Sequence, residues 1–389
     1  MANHLKELYS HRSVPELAAS RSLFAFAQAM IAAVWAILFF ESGLRGGGVS
    51  LLKAVVSASV IGVSLLLPRY VRRMDESKVY PLSLIITGIS LIIGSLCENL
   101  IVTIVVFLLV QILYIVWQST FSILFRDSFE RFKTYTLAQG ILGSMICTSW
   151  FMGPILGGFI MQDLGPRKVL LFAGLVFIIA GSVASYRATS HKTKKIKSEL
   201  GLVDNIKYFL NIKDMKSAYL IRSGIDAWWT LCLTFVPLLM VKSGYSLSEI
   251  GIFAGLSQLP LVFGEFMVVR RLNKKGFKRV FVWAYSALTV AMALCLMLSF
   301  GNIVIGIIIL CSIPMAFLEP ISEIYFYHIT RKDQEELTYP IFMTSSTFGE
   351  GFLSFLILPV ASILGLKFSF IAVALYMLGL TLVSIRLKR

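Results

Sequence analysis

Residues 191–216 read HKTKKIKSELGLVDNIKYFLNIKDMK, a basic and polar run in a chain that is otherwise mostly apolar. Six long apolar stretches precede it and six follow. They cover about 21–41, 48–67, 79–97, 100–124, 138–161 and 168–186, then 218–241, 247–269, 279–299, 302–327, 338–361 and 366–385. A helix needs ~20 apolar residues to cross the hydrocarbon of a bilayer, and its backbone groups must be satisfied within the helix itself. The expected fold is therefore an all-α membrane protein of twelve transmembrane helices. Residues 1–187 and 218–389 form two six-helix bundles, and 188–217 form a cytoplasmic linker.

Composition points the same way. With 57% hydrophobic residues and 15% charged ones, 389 residues have too little polar surface for a soluble globule. The net charge of +15 invites comparison with nucleic-acid binders, but its distribution excludes them as partners. With a cytoplasmic N-terminus, 29 of the 36 Lys and Arg fall on inner segments, Arg21 among them. Six (Arg45, Lys53, Arg167, Lys168, Lys242, Lys367) fall outside, and Arg222 lies within a span. That bias is the positive-inside rule. It places both termini in the cytoplasm of a multi-pass protein of the cell (plasma or inner) membrane, with the bilayer as its partner.

The polar opening, with Glu7 and Glu16, is not a cleavable leader, so span one is expected to act as the insertion signal. Cys97, Cys147, Cys232, Cys295 and Cys311 are scattered, without CxxC spacing or a neighbouring histidine. Neither a disulfide framework nor a metal site is expected. No cofactor is expected, and with no P-loop ATP is not the direct energy source.

The halves repeat. Residues 69–80, RYVRRMDESKVY, lie over 270–281, RRLNKKGFKRVF, at an offset of 201, and the turns at Gly165 and Gly365 match at an offset of 200. Six spans per copy make this the parallel two-fold repeat of a transporter. Span five carries Gly153-Pro154-Ile155-Leu156-Gly157-Gly158. On these features the chain resembles the major facilitator superfamily (MFS) over essentially its whole length. Gly153, Pro154, Gly157 and Gly158 look like its fifth-helix Gly-Pro-x-x-Gly-Gly motif, associated with proton-driven antiporters and with sealing the outer gate. The turns holding Arg69, Arg72, Arg73 and Asp75, and Asn273, Lys274, Gly276 and Arg279, occupy the place of its cytoplasmic loop signature. Residues 202–216 resemble the amphipathic lead-in to helix seven of many exporters. The loop aspartate of the family falls on Arg72 and Asn273 here, which puts its usual charge latch in doubt; Asp75 is the nearby substitute. The resemblance implies two pseudo-symmetric bundles around one cavity, working by alternating access.

Ionisable residues within a span cost roughly 2.5–3.5 kcal/mol each to insert and mark function by default. They concentrate in the second half: Arg222 and Asp226 in span seven, Glu265 in eight, Glu319 and Glu323 in ten, Glu350 in eleven. Arg222 and Asp226, at i and i+4, share a helix face and make an ion pair. Glu350 lies near the midplane, flanked by Gly349 and Gly351. A buried carboxylate holds its proton more tightly than one exposed to water or to a cation, an alternation suited to a proton carrier. Glu350 is the first candidate for the coupling proton, with Glu319, Glu265 and Asp226 behind it.

The deep polar residues of the first half are neutral. Gln28, Gln111 and Gln118 are candidates for substrate hydrogen bonds, and Trp35 and Trp228 for cavity walls. The basic run and residues 200–212 read as an interfacial segment against anionic lipid. The expected function is proton-coupled export of an amphipathic small molecule by a monomer. Proton-driven import of a polar nutrient (sugar, organic acid or nucleoside) is the alternative. A non-transporting membrane sensor, whose expected mark is an added soluble domain, is a third. No nucleophile-with-base arrangement marks an enzyme.

Overall fold

A computed structural model describes residues 14–71, 75–127, 132–186, 202–330 and 335–387, which are helical throughout with no strand among them. The first unit is built largely from α1 (Val14–Ile31), α4 (Glu76–Leu96), α5 (Leu100–Asp127), α6 (Phe132–Leu164) and α7 (Pro166–Ser185). Between α1 and α4 come α2 (Val34–Glu41) and α3 (Gly46–Val71). After the linker come α8 (Leu202–Asn211), α9 (Met215–Thr230), α10 (Val236–Lys242), α11 (Leu247–Lys275) and α12 (Phe277–Met297). The chain closes with α13 (Asn302–Ile329), α14 (Glu335–Ile363) and α15 (Ser369–Ile385). Among the described residues, eleven helical segments are long and apolar enough to cross a membrane, and Leu247–Val262 is a shorter apolar helix. Outward faces confirm the solvent: Ile86, Ile89 and Ile93 form an exposed stripe on α4, tolerable in lipid and costly in water.

The chain divides into two compact units, Met1–Trp35 with Leu66–Lys197, and Ala36–Leu65 with Ser198–Arg389. Residues 36–65 thus belong to the second unit. Lys53 on α3 donates to Thr234 at 2.9 Å, and the Lys242 ammonium sits 5.6 Å from the centre of the Phe40 ring.

Small residues set the helix spacing. In the first unit, a Cβ on Gly88 would lie 2.5 Å from the Gly174 carbonyl oxygen, and one on Gly174 would lie 2.7 Å from that of Gly88, so α4 and α7 touch backbone to backbone. Gly153 and Gly157, both buried, seat α6 on α1. Added Cβ atoms there would lie 2.8 Å from the Phe26 carbonyl oxygen and 2.6 Å from that of Met30. Pro154 and Gly158 are buried beside them.

The matched turns share a conformation. Gly165 (φ 86°, ψ 159°) opens α7, and Gly365 (φ 100°, ψ 162°) opens the 3₁₀ turn that leads into α15. Gly276 (φ 70°, ψ 153°) opens α12 in the same way. This region of backbone space is essentially reserved for glycine. Arg167, expected in an outer loop, donates to the carbonyls of Gly94, Cys97 and Glu98 and satisfies the carboxyl end of α4. Of the interfacial segment, α8 is described; its Phe209 is buried edge-on against Tyr219. Residues 187–201 lie outside the described ones.

Adding a methyl at Gly157 forces α6 off α1. The expected cost of Gly157→Ala is about 1–3 kcal/mol, read as a lower melting temperature in detergent. Gly306→Ala, on α13 with nothing within 4 Å of the added atom, serves as the neutral control. Equal melting temperatures for the two variants would contradict this packing.

Candidate functional site

The second unit holds a charge cluster built on α9. Arg222 is buried, its Nη2 lies 3.9 Å from Asp226 Oδ2, and the two side chains are 9% and 23% exposed. The expected i, i+4 pair is therefore present, but it is not isolated. Asp226, Glu323 and Glu319 all act on the buried Arg222 charge. Glu319 and Glu323 stand four residues apart on α13 and so share a face of it. Arg222 Nε and Nη1 are buried and make no hydrogen bond; its charge is met through space by carboxylates on two helices.

Glu350 stands on α14 between two glycines with separate packing duties. A Cβ on Gly349 would collide with the Ser223 carbonyl oxygen of α9, and one on Gly351 would lie 2.7 Å from Ser57 Cβ of α3. One glycine draws in the helix carrying Asp226, and the other draws in the helix carrying Lys53. Those two groups, Lys53 and Asp226, are the ones that act on the Glu350 carboxylate.

Lys53 was expected at the outer surface, yet it lies inside the helical span Gly46–Leu65 and hydrogen-bonds Thr234. Thr234 belongs to a π-helical turn, Leu231–Phe235, in which Val236 N–H reaches back to the Leu231 carbonyl. Pro237 has no N–H to continue the α ladder, and turns of this kind gather at functional sites. Hydroxyls surround the cluster: Ser223 pairs with Tyr376 at 2.6 Å, Tyr219 with Thr344 at 3.0 Å, and Tyr285 donates to the Ile221 carbonyl.

The first unit contains a cation that sequence reasoning counted as cytoplasmic. Arg21 lies within the helical span Pro15–Glu41. Its Cζ sits 4.1 Å from the Phe24 ring centre, 5.6 Å from Phe121 and 5.9 Å from Trp117. Beside it, Ser20 bonds Tyr80 at 3.1 Å and donates to the Ala180 carbonyl at 2.8 Å. The missed signal was the repeat itself, since Arg21 and Arg222 are 201 residues apart.

The remaining candidates fall as follows. Trp228 is fully buried in the second unit, and Trp35 is 7% exposed against Phe107, with ring centres 5.1 Å apart. Both are buried. Gln28, Gln111 and Gln118 are half-buried. Asp75 caps α4, accepting from the Ser77 amide at 3.1 Å and its hydroxyl at 2.6 Å. Gly276 and Arg279 are exposed at the start of α12. The side chains of Glu265, Arg69, Asn273 and Lys274, and residues Arg72 and Arg73, lie outside the described ones. Among the described residues no group of three His, Cys, Asp or Glu is arranged to hold a metal ion.

The architecture is shared with solved transporters. The nucleoside transporter NupG aligns with a TM-score of 0.73 at 13% identity, covering 97% of this chain and 100% of its own. A D-xylose–proton symporter aligns with 0.73 at 12%, covering 97% and 98%. A bacterial homologue of the human lysosomal transporter Spinster, inward-facing and occupied, aligns with 0.71 at 14%, covering 95% of each chain. No curated protein sequence matches. Residues 17–235, more than half of the chain, match the Major Facilitator Superfamily, and the chain belongs to that family of membrane transporters.

Proposed function

We propose that the protein is a proton-coupled secondary transporter that exports amphipathic small molecules by alternating access. The observation that carries this is a charge cluster in the second unit. Among the described residues, four carboxylates within helical spans (Asp226, Glu319, Glu323, Glu350) meet two cations, Arg222 and Lys53. Unmatched buried charge is strongly disfavoured, and an excess of acids is neutralised by protons.

Glu350 is the group through which that proton does work. With its carboxylate ionised, it attracts Lys53 and holds α3 to the second unit. Once it is protonated the attraction is gone, and residues 36–65 are freed to move. A proton thereby acts on a two-state element. The export direction is taken from the resemblance of the Gly153-Pro154-Ile155-Leu156-Gly157-Gly158 run to the family's antiporter-associated fifth-helix motif and of residues 202–216 to an exporter linker. The working halves are residues 1–187 and 218–389, joined by 188–217, in a monomer whose termini both face the cytoplasm of the cell membrane.

Import of a polar nutrient by proton symport is the second reading. The concentration of acids in one half favours it, and the fold is that of a D-xylose–proton symporter and a nucleoside transporter.

Reconstitution in liposomes with an imposed pH gradient and a substrate panel separates the two by the side on which substrate accumulates. Glu350→Gln is expected to abolish gradient-driven accumulation while retaining substrate exchange at zero gradient; accumulation with unchanged pH dependence would sink the assignment. Lys53→Met is expected to weaken coupling by about fivefold or more, and Lys53→Arg to keep most of it. Equal coupling in Lys53→Met and the native protein would remove Lys53 from the mechanism.

A further inference from the structure

The two arginines of the repeat are treated in opposite ways. Arg222 has three carboxylates acting on its charge. Arg21 has the phenol oxygens of Tyr80 and Tyr114, and no carboxylate figures among the groups that act on it. At the same 201-residue offset, Glu319 of the second unit corresponds to Gln118 of the first. The repeat has exchanged a counter-charge for a neutral amide and left the arginine in place.

The polar atoms around Arg21 are also left open. Its Nη1, the Trp117 Nε1 and the Gln118 Oε1 are all buried with no hydrogen-bond partner. Trp117 is 1% exposed, so water does not serve its N–H. A guanidinium cannot shed its proton, and a buried donor without an acceptor costs free energy comparable to a lost hydrogen bond. The Phe24 face at 4.1 Å steadies the cation but accepts no hydrogen bond in the plane of the guanidinium fork. That fork presents parallel N–H donors matched to a carboxylate. Trp117 adds a donor beside it, and the Gln118 amide can turn its NH₂ inward, since amide oxygen and nitrogen exchange by a flip. Phe121 and Tyr114, the latter edge-on to Trp117 at 4.6 Å, supply apolar walls.

We propose that Arg21, Trp117 and Gln118 form a binding site for an organic carboxylate with an apolar body, which supplies the counter-charge the first unit lacks. The cargo is then an amphipathic anion. The inference rests on the transport reading only in calling the ligand cargo, so it is tested by binding, with no gradient and no movement across a membrane.

The purified full chain in detergent is titrated with benzoate, with its neutral isostere benzamide, with cationic benzylamine and with inorganic phosphate. Melting temperature and tryptophan fluorescence are followed. Benzoate is expected to stabilise the protein and to change the fluorescence saturably, whereas benzamide and benzylamine do neither. Arg21→Gln is expected to weaken benzoate binding about tenfold or more. Should Arg21→Gln fail to fold, Trp117→Phe keeps the ring and removes only the N–H, and is expected to weaken benzoate binding several-fold. Equal responses to benzoate and benzamide, no response to benzoate at millimolar concentration, response to phosphate alone, or undiminished binding in the folded variants would each overturn the site.

Discussion

A charge taken out of water by a bilayer must be met by an opposite charge, by oriented dipoles or by a proton, and the organisation of both units follows from how that demand is satisfied. The backbone meets it by closing every span into helix. The ionisable side chains meet it locally. Arg222 is surrounded by Asp226, Glu319 and Glu323, while Glu350 answers to Lys53 and Asp226. Arg21 lies instead among rings and hydroxyls. The arginines matched by the repeat, Arg21 and Arg222, thus stand in unlike surroundings.

Packing and electrostatics are one device at residues 349–351. Without a Cβ, Gly349 admits the Ser223 carbonyl of α9 and Gly351 admits Ser57 of α3. Closing both contacts sets Glu350 between the helices that bring Asp226 and Lys53. A side chain at either glycine would push these helices, and the charges they carry, apart. Gly153 and Gly157 perform the same spacing for α6 and α1 with no charge at stake. The π turn at Leu231–Phe235 is a third contribution. It re-aims Thr234 toward the Lys53 ammonium at a point where Pro237 has already broken the α ladder.

Much of this was legible before any coordinates. Twelve apolar runs of transmembrane length name the solvent, because no other medium tolerates them, and the repeat declares the transporter architecture through its turns. Gly165 and Gly365 match in sequence because both need a backbone conformation that only glycine adopts readily. Arg222 and Asp226 were identifiable as a pair because four residues along a helix bring side chains to one face. Each of these inferences uses local periodicity, which a linear chain carries directly.

Lys53 and Arg21 were counted with the loop charges although the apolar runs 48–67 and 21–41 already contained them. Both sit within a few turns of a span's end, and long aliphatic stems let such residues reach either inward or toward the interface. What decides between those directions is a partner far away in the chain: Thr234, 181 residues from Lys53, and Trp117 on another helix for Arg21. The sequence by itself determined the solvent, the apolar helical runs and the two-fold repeat, all set by composition and spacing along one dimension. Which charges meet was decided only by the tertiary structure, because charge neutralisation away from water acts between helices whose contact no local pattern encodes.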